Sequence, residues 1–422
     1  MIRITFVESE IGRIECKVKD ALASALKPKE YVYSMTAEEL IFRITTVDSY
    51  RDAASLLNRV LHRSDEHAFK TNTMSEHLVS QGRKIGEYQH SQARSILHGI
   101  EGVSETGTVV VPENIPEAIR IPMPESSQDA RDKLEVFQGT IDKYNDGKED
   151  CDRIKNTKLI EDTERNPDEC IYISIDDVGV KHQKDTRKDG GTKDGKVVEN
   201  TVIHVQSKEG TYVITDVGMK KAFTLLMAYL FSNNLLENRY IYFFSDGAQN
   251  IRASIEEFFK PLCPYKLMLD WYHLEKRMTE LLSMALRGSK EDRHDIRYKL
   301  DQKLWAGNFD DAKEYLLELD DKYIKNKNKL NEAILHLDRK KEYAACYALR
   351  KELGYRNSSN PAEKTNDLIV ASRQKHNGMS WSYEGSGALA TITAASRNGE
   401  IDAWIERKVI PFKPLTIESV AA

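Results

Sequence analysis

The chain opens with alternating apolar and polar positions and then changes to helical spacing. Ile2, Ile4 and Phe6 alternate with polar residues, which suits one or two short strands or an arm. From residue 36 the apolar positions predict three short helices, over about 36–44, 49–62 and 73–84. The first and third open on Thr-x-x-Glu capping boxes. The third helix has a basic end.

The central part changes to a period of two interrupted by two helices. Strands are predicted over 171–175, 197–206, 211–215, 240–244 and 266–269, and helices over 220–235 and 248–259. The predicted order is therefore β-β-β-α-β-α-β, which is the ribonuclease-H-like order of a mixed α/β sheet. In such sheets functional side chains gather at strand ends.

The flanking segments give the domain organisation. Residues 1–100 hold a helix-turn-helix-like domain at about 34–90, although a small helical bundle without a DNA role fits equally well. A Pro-rich connector follows at 101–165. The α/β core begins at 166–274, a charged and almost wholly helical insertion occupies 275–366, and residues 367–422 form a closing helix and a C-terminal tail.

Composition narrows the class of protein. A chain of 422 residues is too long for a single hydrophobic core of ordinary size, and 40% of its residues are hydrophobic, as in globular proteins. The five cysteines are scattered and include no CxxC pair, so no disulfide framework or cysteine zinc site is indicated. No apolar run is long enough to span a bilayer and no signal peptide is recognisable, so a cytoplasmic protein is expected. Because the net charge is -5, any nucleic-acid binding must use local basic patches.

Three acids are candidates for a site that binds hard divalent cations. Asp176 and Asp246 end predicted strands, and Glu384 lies at or near the start of the last long helix. Carboxylate oxygens suit Mg²⁺ or Mn²⁺. Each acid alone also fits an ordinary turn or helix-start residue. Strand alternation places Asp176 on the face of Tyr172 and Ser174, and a continuing strand would place Asp177 on the face of the isoleucines. Because an ionised carboxylate is costly on an apolar, packed face, Asp176 is the predicted ligand.

Four short sequences together resemble the DDE transposases of bacterial insertion sequences. They are Ile-Ser-Ile-Asp176, Phe-Ser-Asp246-Gly-Ala, Leu-Asp270-Trp-Tyr-His273 and Gly378-Met-Ser-Trp-Ser-Tyr-Glu384-Gly, in that order along residues 170–407. The resemblance implies a ribonuclease-H-like catalytic domain interrupted by a helical insertion. It also implies that Asp176, Asp246 and Glu384 are catalytic and hold two Mg²⁺ or Mn²⁺ ions.

The activity implied by the resemblance is metal-dependent DNA strand cleavage and strand transfer at the ends of an insertion element. The implied partners are double-stranded DNA, as terminal inverted repeats and target DNA, and further copies of the chain, with no membrane. Candidate DNA contacts are Arg83, Lys84, His273, Lys276, Arg277, Arg373 and Lys375.

Several alternatives stay open. Asp270 and His273 could instead fix a strand-to-helix turn, and half of the basic residues could be solvated faces. The chain could also be a domesticated, non-catalytic DNA-binding protein or a structure-specific nuclease of the same fold. No Walker loop, HExxH or GxSxG sequence supports another chemistry.

Overall fold

The structure is a computed structural model. It describes residues 7–9, 12–14, 35–62, 68–110, 139, 141–149, 153–154, 167–183, 197–237, 239–245, 248–358, 360–375 and 379–416. The strands are β1 Val7–Ser9, β2 Gly12–Ile14, β3 Cys170–Lys181, β4 Val197–Ser207, β5 Gly210–Asp216, β6 Tyr240–Ser245 and β7 Tyr265–Leu269.

The helices fall into three groups along the chain. The N-terminal ones are α1 Met35–Thr45, α2 Tyr50–Val60 and α3 Thr71–His98. Those between and after the sheet strands are α4 Met219–Ser232, α5 Gln249–Phe259, α6 Trp271–Ala285, α7 Lys290–Trp305, α8 Phe309–Leu317, α9 Lys327–Lys340 and α10 Tyr347–Glu352. The last are α11 Asn360–Asn366, α12 Ser372–Gln374, α13 Tyr383–Arg397 and α14 Ile401–Arg407, with a π-helical turn at Asp367–Ala371.

Five strands form one mixed sheet in the order β5-β4-β3-β6-β7. β3 pairs antiparallel with β4 and parallel with β6, and β6 pairs parallel with β7. All five predicted strands and both predicted helices of this region are present, in the predicted order. The result is a mixed α/β protein whose strand order is compatible with the ribonuclease-H-like arrangement.

β3 is longer than the sequence suggested. It does not end at Asp176 but continues to Lys181, and β4 pairs with it as far as that residue. Its parallel pairing with β6 ends earlier, and the last paired residues are Ser174 of β3 and Phe244 of β6. Beyond Ser174 one edge of β3 therefore runs on past the end of this parallel pairing.

The two faces of the sheet are covered by different helices. On the face that carries Ile171, Ile173 and Ile175, Phe243 packs against Phe259 of α5, and Tyr212 stacks on Tyr229 of α4. The opposite face carries Asn200, which donates to the Ser386 hydroxyl of α13 at 2.8 Å. Successive side chains point to opposite faces, and both faces are buried along β6 and along β3 from Cys170 to Ile175, so these stretches are apolar almost throughout.

The N-terminal helices pack on this core. Buried residues of α1, α2 and α3 belong to the same apolar cluster as the isoleucines of β3. The predicted short third helix is wrong in length, since α3 has 28 residues and runs past the basic pair to His98. Thr36 and Thr73 of the predicted capping boxes lie inside α1 and α3, and Lys70 is the N-cap of α3 without a side-chain capping bond.

The charged region between β7 and α13 forms a largely separate helical layer. Its apolar side chains, together with those of β6, β7 and the start of β3, make a second buried cluster. Tyr347 of α10 ties this layer to the sheet by donating to the Leu269 carbonyl at 2.9 Å. Most of the predicted connector, including its prolines, lies outside the described residues. The predicted domain boundaries stay a prediction.

Candidate active site

Asp176 lies where the sheet opens between two parallel strands. It sits opposite Val202 in the β3–β4 ladder, two residues beyond the last position that β6 pairs. Asp246 directly follows Ser245, the last residue of β6, and lies outside the described residues. Asp176 therefore lies within β3 beyond its pairing with β6, Asp246 follows the end of β6, and of the two only Asp176 belongs to the described residues.

The neighbouring aspartates of β3 point to opposite faces. Asp176 accepts a hydrogen bond at 2.9 Å from the side-chain amide of Asn366, the last residue of α11. Asp177 accepts at 2.7 Å from the Thr201 hydroxyl and at 2.9 Å from the amide of Asn250 on α5. Since the strand continues, alternation holds, and Asp177 shares the face of the isoleucines.

Glu384 is the second residue of α13, and its side chain faces α3. Ser382 is the N-cap and accepts from the Gly385 amide at 3.0 Å, so the first turn is fixed. The Glu384 side chain is 57% exposed and forms an ion pair at 3.6 Å with Arg83 of α3. A residue predicted to contact DNA thus contacts one of the predicted catalytic acids.

The segment leading into α13 is joined to the end of β3. The Trp381 amide donates to the Lys181 carbonyl at 2.9 Å, and the Gln183 amide donates to the Trp381 carbonyl at 2.8 Å. The Trp381 indole also donates to the Gln374 carbonyl at 3.0 Å. The strand that carries Asp176 and the helix that carries Glu384 are therefore held together by backbone bonds.

A buried polar network reinforces this junction. The Ser386 hydroxyl donates to Gln374 Oε1 at 2.6 Å and accepts from Asn200, and the Gln374 amide donates to the Ser386 carbonyl at 3.2 Å. All three side chains are fully buried. These hydrogen bonds join β4, α12 and α13, while the Asn200 side-chain oxygen has no hydrogen-bond partner among the described residues.

Asp176 and Glu384 are the two predicted metal ligands among the described residues. Within the described ranges, which leave out Asp246, no cluster of three His, Cys, Asp or Glu residues could hold a metal ion. Asp176 and Glu384 supply the hard oxygen donors that Mg²⁺ prefers. The three-acid site stays a prediction.

Arg373, one of the predicted DNA contacts, is buried in the structure. Its side chain is buried, with 3% of the residue exposed. It donates to the Thr45 carbonyl at 3.1 Å and lies over the rings of Tyr50 and Trp381. Burial lowers the pKa of this guanidinium. Arg373 therefore joins α1 and α2 to the segment before α13 and is not a surface cation.

The other predicted DNA contacts keep more accessible positions. Lys375 and Lys276 are exposed, and Lys276 lies 5.8 Å from the Tyr272 ring centre. Arg277 is half-buried and forms an ion pair at 2.7 Å with Glu332. Lys84, next to Arg83, is half-buried. Whether these cations contact DNA stays a prediction.

The residues after β7 make the contacts of a strand-to-helix turn, and the predicted contact of His273 with DNA stays a prediction. Asp270 is the N-cap of α6, and its carboxylate accepts from the Tyr272 amide at 2.7 Å. His273 contacts Glu363 of α11 at 2.9 Å. These contacts fix the strand-to-helix turn and join α6 to α11.

Two residues beside the aspartates were missed from the sequence. Asn366 lies in a polar helical stretch that carries no motif, so no sequence signal distinguishes it. Asn250 was detectable, since it stands four residues after Asp246 in the first turn of the next helix.

Comparisons with known proteins add little to this geometry. No protein-family model matches the chain, and neither does any curated protein. A solved structure, the Drosophila P element transposase strand transfer complex, is 9% identical over 89% of this chain and 88% of that chain, with a TM-score of 0.20. A TM-score this low supports no conclusion about fold or function. Within the described residues, no helix is both long and apolar enough to cross a membrane.

Proposed function

We propose that this chain is a DDE transposase of the bacterial insertion-sequence type, which cleaves and joins DNA strands in a ribonuclease-H-like domain. The observation that carries the proposal is the placement of Asp176. It lies on the sheet face covered by α13. Glu384, the predicted third acid, is the second residue of α13. The hydrogen bonds from the end of β3 to Trp381 give this relation a fixed geometry.

Each residue of the candidate site has a distinct role in the proposed reaction. Asp176, Asp246 and Glu384 would hold two divalent cations, which when bound stabilise charge on the attacking and leaving oxygens of a phosphodiester. Asn366 holds one oxygen of Asp176 by its amide, so the other oxygen keeps a defined direction. Arg83 lies beside Glu384 and would meet the DNA backbone there.

Two other functions make different demands on the same residues. A domesticated DNA-binding protein would bind DNA and would need none of the three acids. A structure-specific nuclease would cleave DNA without preference for the ends of an element. The contacts around Asp176 and α13 favour a working catalytic site, because a protein that only binds DNA has no need of an ordered acid at a sheet opening.

The decisive experiment uses the DNA that flanks the gene. Cleavage of labelled flanking DNA by the full chain is measured with Mg²⁺, with Mn²⁺ and with chelator. We expect metal-dependent nicks at terminal inverted repeats, lost in Asp176→Asn and Glu384→Gln with DNA affinity retained. The matched control Asp402→Asn changes an exposed acid that pairs with Arg43 and should cleave normally.

The outcomes separate the three functions. Cleavage at the normal rate by both active-site variants would disprove the assignment of the acids. Binding without cleavage under every metal condition would favour the domesticated protein, and cleavage at branched DNA irrespective of sequence would favour the nuclease. Loss of activity in Asp177→Asn with activity kept in Asp176→Asn would reverse the choice of ligand.

A further inference from the structure

One side of α2 is open to solvent along the whole helix. α2 packs on α1 and α3, and its buried residues are Ala53, Ala54 and Leu57. The opposite side consists of exposed residues, which are Arg51, Ser55, Leu56, Arg59 and Val60. We call this side the open face of α2. It includes two large apolar side chains, since Leu56 is 42% and Val60 is 58% exposed.

The open face combines a basic row with an apolar row. Residues four apart lie on the same side of a helix, so Arg51, Ser55 and Arg59 form one row and Leu56 and Val60 form the next. Within the described part of the chain, neither arginine has an ion pair or a side-chain hydrogen bond. Both guanidinium groups therefore keep all their donors for a partner outside the chain.

The acids near α2 do not neutralise this face. The Asp52 carboxylate accepts a hydrogen bond from the Ser49 hydroxyl at 2.6 Å and belongs to the start of the helix. Asp48 and Asp52 both interact electrostatically with the buried guanidinium of Arg373. These two carboxylates compensate an internal cation, which leaves the charge of the basic row available.

The basic end predicted for the third helix is less accessible than the open face of α2. Arg83 forms an ion pair with Glu384, and Lys84 is half-buried. At Gly82 the backbone of α3 lies so close to α13 that an added Cβ would be 2.7 Å from the Cα of Ala388. This stretch of α3 is docked on another helix, whereas α2 presents a complete helix side to solvent.

The open face also adjoins the candidate active site. Arg51, at one end of the basic row, lines a cavity of about 550 Å³ together with Ser382 and Gly385. These two residues flank the pair Tyr383 and Glu384 at the start of α13. A macromolecule bound along α2 is therefore held close to Glu384.

We propose that the open face of α2 reads base edges in the major groove of duplex DNA. Residues 46–49 form a four-residue turn between α1 and α2, and in such helix pairs the second helix enters the groove. Arginine pairs with guanine, a serine hydroxyl accepts or donates to any base, and apolar side chains contact thymine methyl groups. The surface rests on α2 alone. That its DNA is the end of an insertion element rests on the proposed function.

The test uses the full chain and a library of DNA duplexes with a randomised central segment. The sequence enriched by the wild-type chain is then compared with a scrambled duplex by fluorescence anisotropy at constant salt. We expect Arg59→Gln to weaken binding of the enriched duplex at least about tenfold and to change binding of the scrambled duplex less, because a base contact is lost. The matched control Arg94→Gln removes an exposed arginine of α3 and should keep the full preference.

A second variant distinguishes DNA from another copy of the chain as the occupant of this face. Leu56→Gln removes an exposed apolar side chain, so the chain should stay folded, lose preference for the enriched duplex and keep its oligomeric state in sedimentation. A change of oligomeric state with unchanged DNA preference would make the open face an interface between copies and would overturn the inference.

The remaining outcomes are equally decisive. The inference fails where the wild-type chain enriches no sequence, or where Arg59→Gln keeps the wild-type preference. Loss of preference in Lys84→Gln together with normal preference in Arg59→Gln would assign base reading to α3 instead. A chain whose DNA preference depends on α2 but which cleaves no DNA under any metal condition would refute the proposed function and leave this inference standing.

Discussion

The close approach of α3 and α13 can be tested at a single glycine. A Cβ added to Gly82 would lie 2.7 Å from both the carbonyl carbon and the Cα of Ala388. Carbon atoms in ordinary contact are about 3.5 to 4.0 Å apart, so the two helix backbones would have to separate by about 1 Å. Overpacking of this kind costs about 3 kcal/mol when backbone must move. Alanine returns about 1 kcal/mol of helix propensity, which leaves a net loss of about 2 kcal/mol.

Gly86, one turn further along α3, is the matched control. A Cβ added there would have no atom within 4 Å, so Gly86→Ala should stabilise the protein by about 0.5 to 1 kcal/mol. Urea unfolding at equilibrium measures both changes. Cleavage should also fall in Gly82→Ala, because Arg83 and Glu384 are displaced with their helices. Equal stability of the two variants would refute the tight docking of α3 on α13.

Three further predictions concern other residues. Burial raises the pKa of Glu400 to about 7 from 4.5, so the stability that its protonated form contributes is present below about pH 4.5 and is lost as the pH rises through about 7. Measured by urea unfolding, the stability of Glu400→Gln relative to wild type should therefore increase by about 2.5 kcal/mol between about pH 5 and pH 8. A stability difference that does not change with pH would refute this. Asp270→Ala should lower the free energy of unfolding by about 1 kcal/mol or more through loss of the α6 cap, while the folded fraction still cleaves DNA; complete inactivity of the folded protein would show a catalytic role. Asn366→Ala should slow cleavage about tenfold at unchanged DNA affinity, because Asp176 loses its positioning partner, and a normal rate would contradict that role.

The strands were predictable because each alternates or is uniformly apolar between clear turn signals. The end of β3 was not. Two acids in succession commonly mark a turn, yet Val178 and Val180 continue the alternation, and Thr201 supplies the hydrogen bond that lets Asp177 stay within the sheet. A strand end set by a cross-strand partner cannot be seen in the sequence of the strand alone.

The true length of α3 and the burial of Arg373 depend equally on distant residues. The basic pair after Gly82 suggests a helix end in the sequence, but in the structure α3 continues, and Gly82 allows it to approach Ala388, far away in the chain. Arg373 is one of several basic residues near Glu384, and only the folded arrangement of Thr45, Tyr50 and Trp381 makes it internal. Charge patterning finds cations but does not show which of them face solvent.

The candidate site is assembled from two parts of the chain that the helical layer separates. Asp176 and Glu384 belong to β3 and α13, which are joined by hydrogen bonds of Trp381 and Ser386. The helical layer packs on the other half of the sheet, around β6 and β7, and reaches Asp176 through Asn366 at its end. Substitutions inside that layer should therefore change stability more than chemistry, whereas substitutions at Asn366 or at the α3–α13 contact act directly on the positions of the acids.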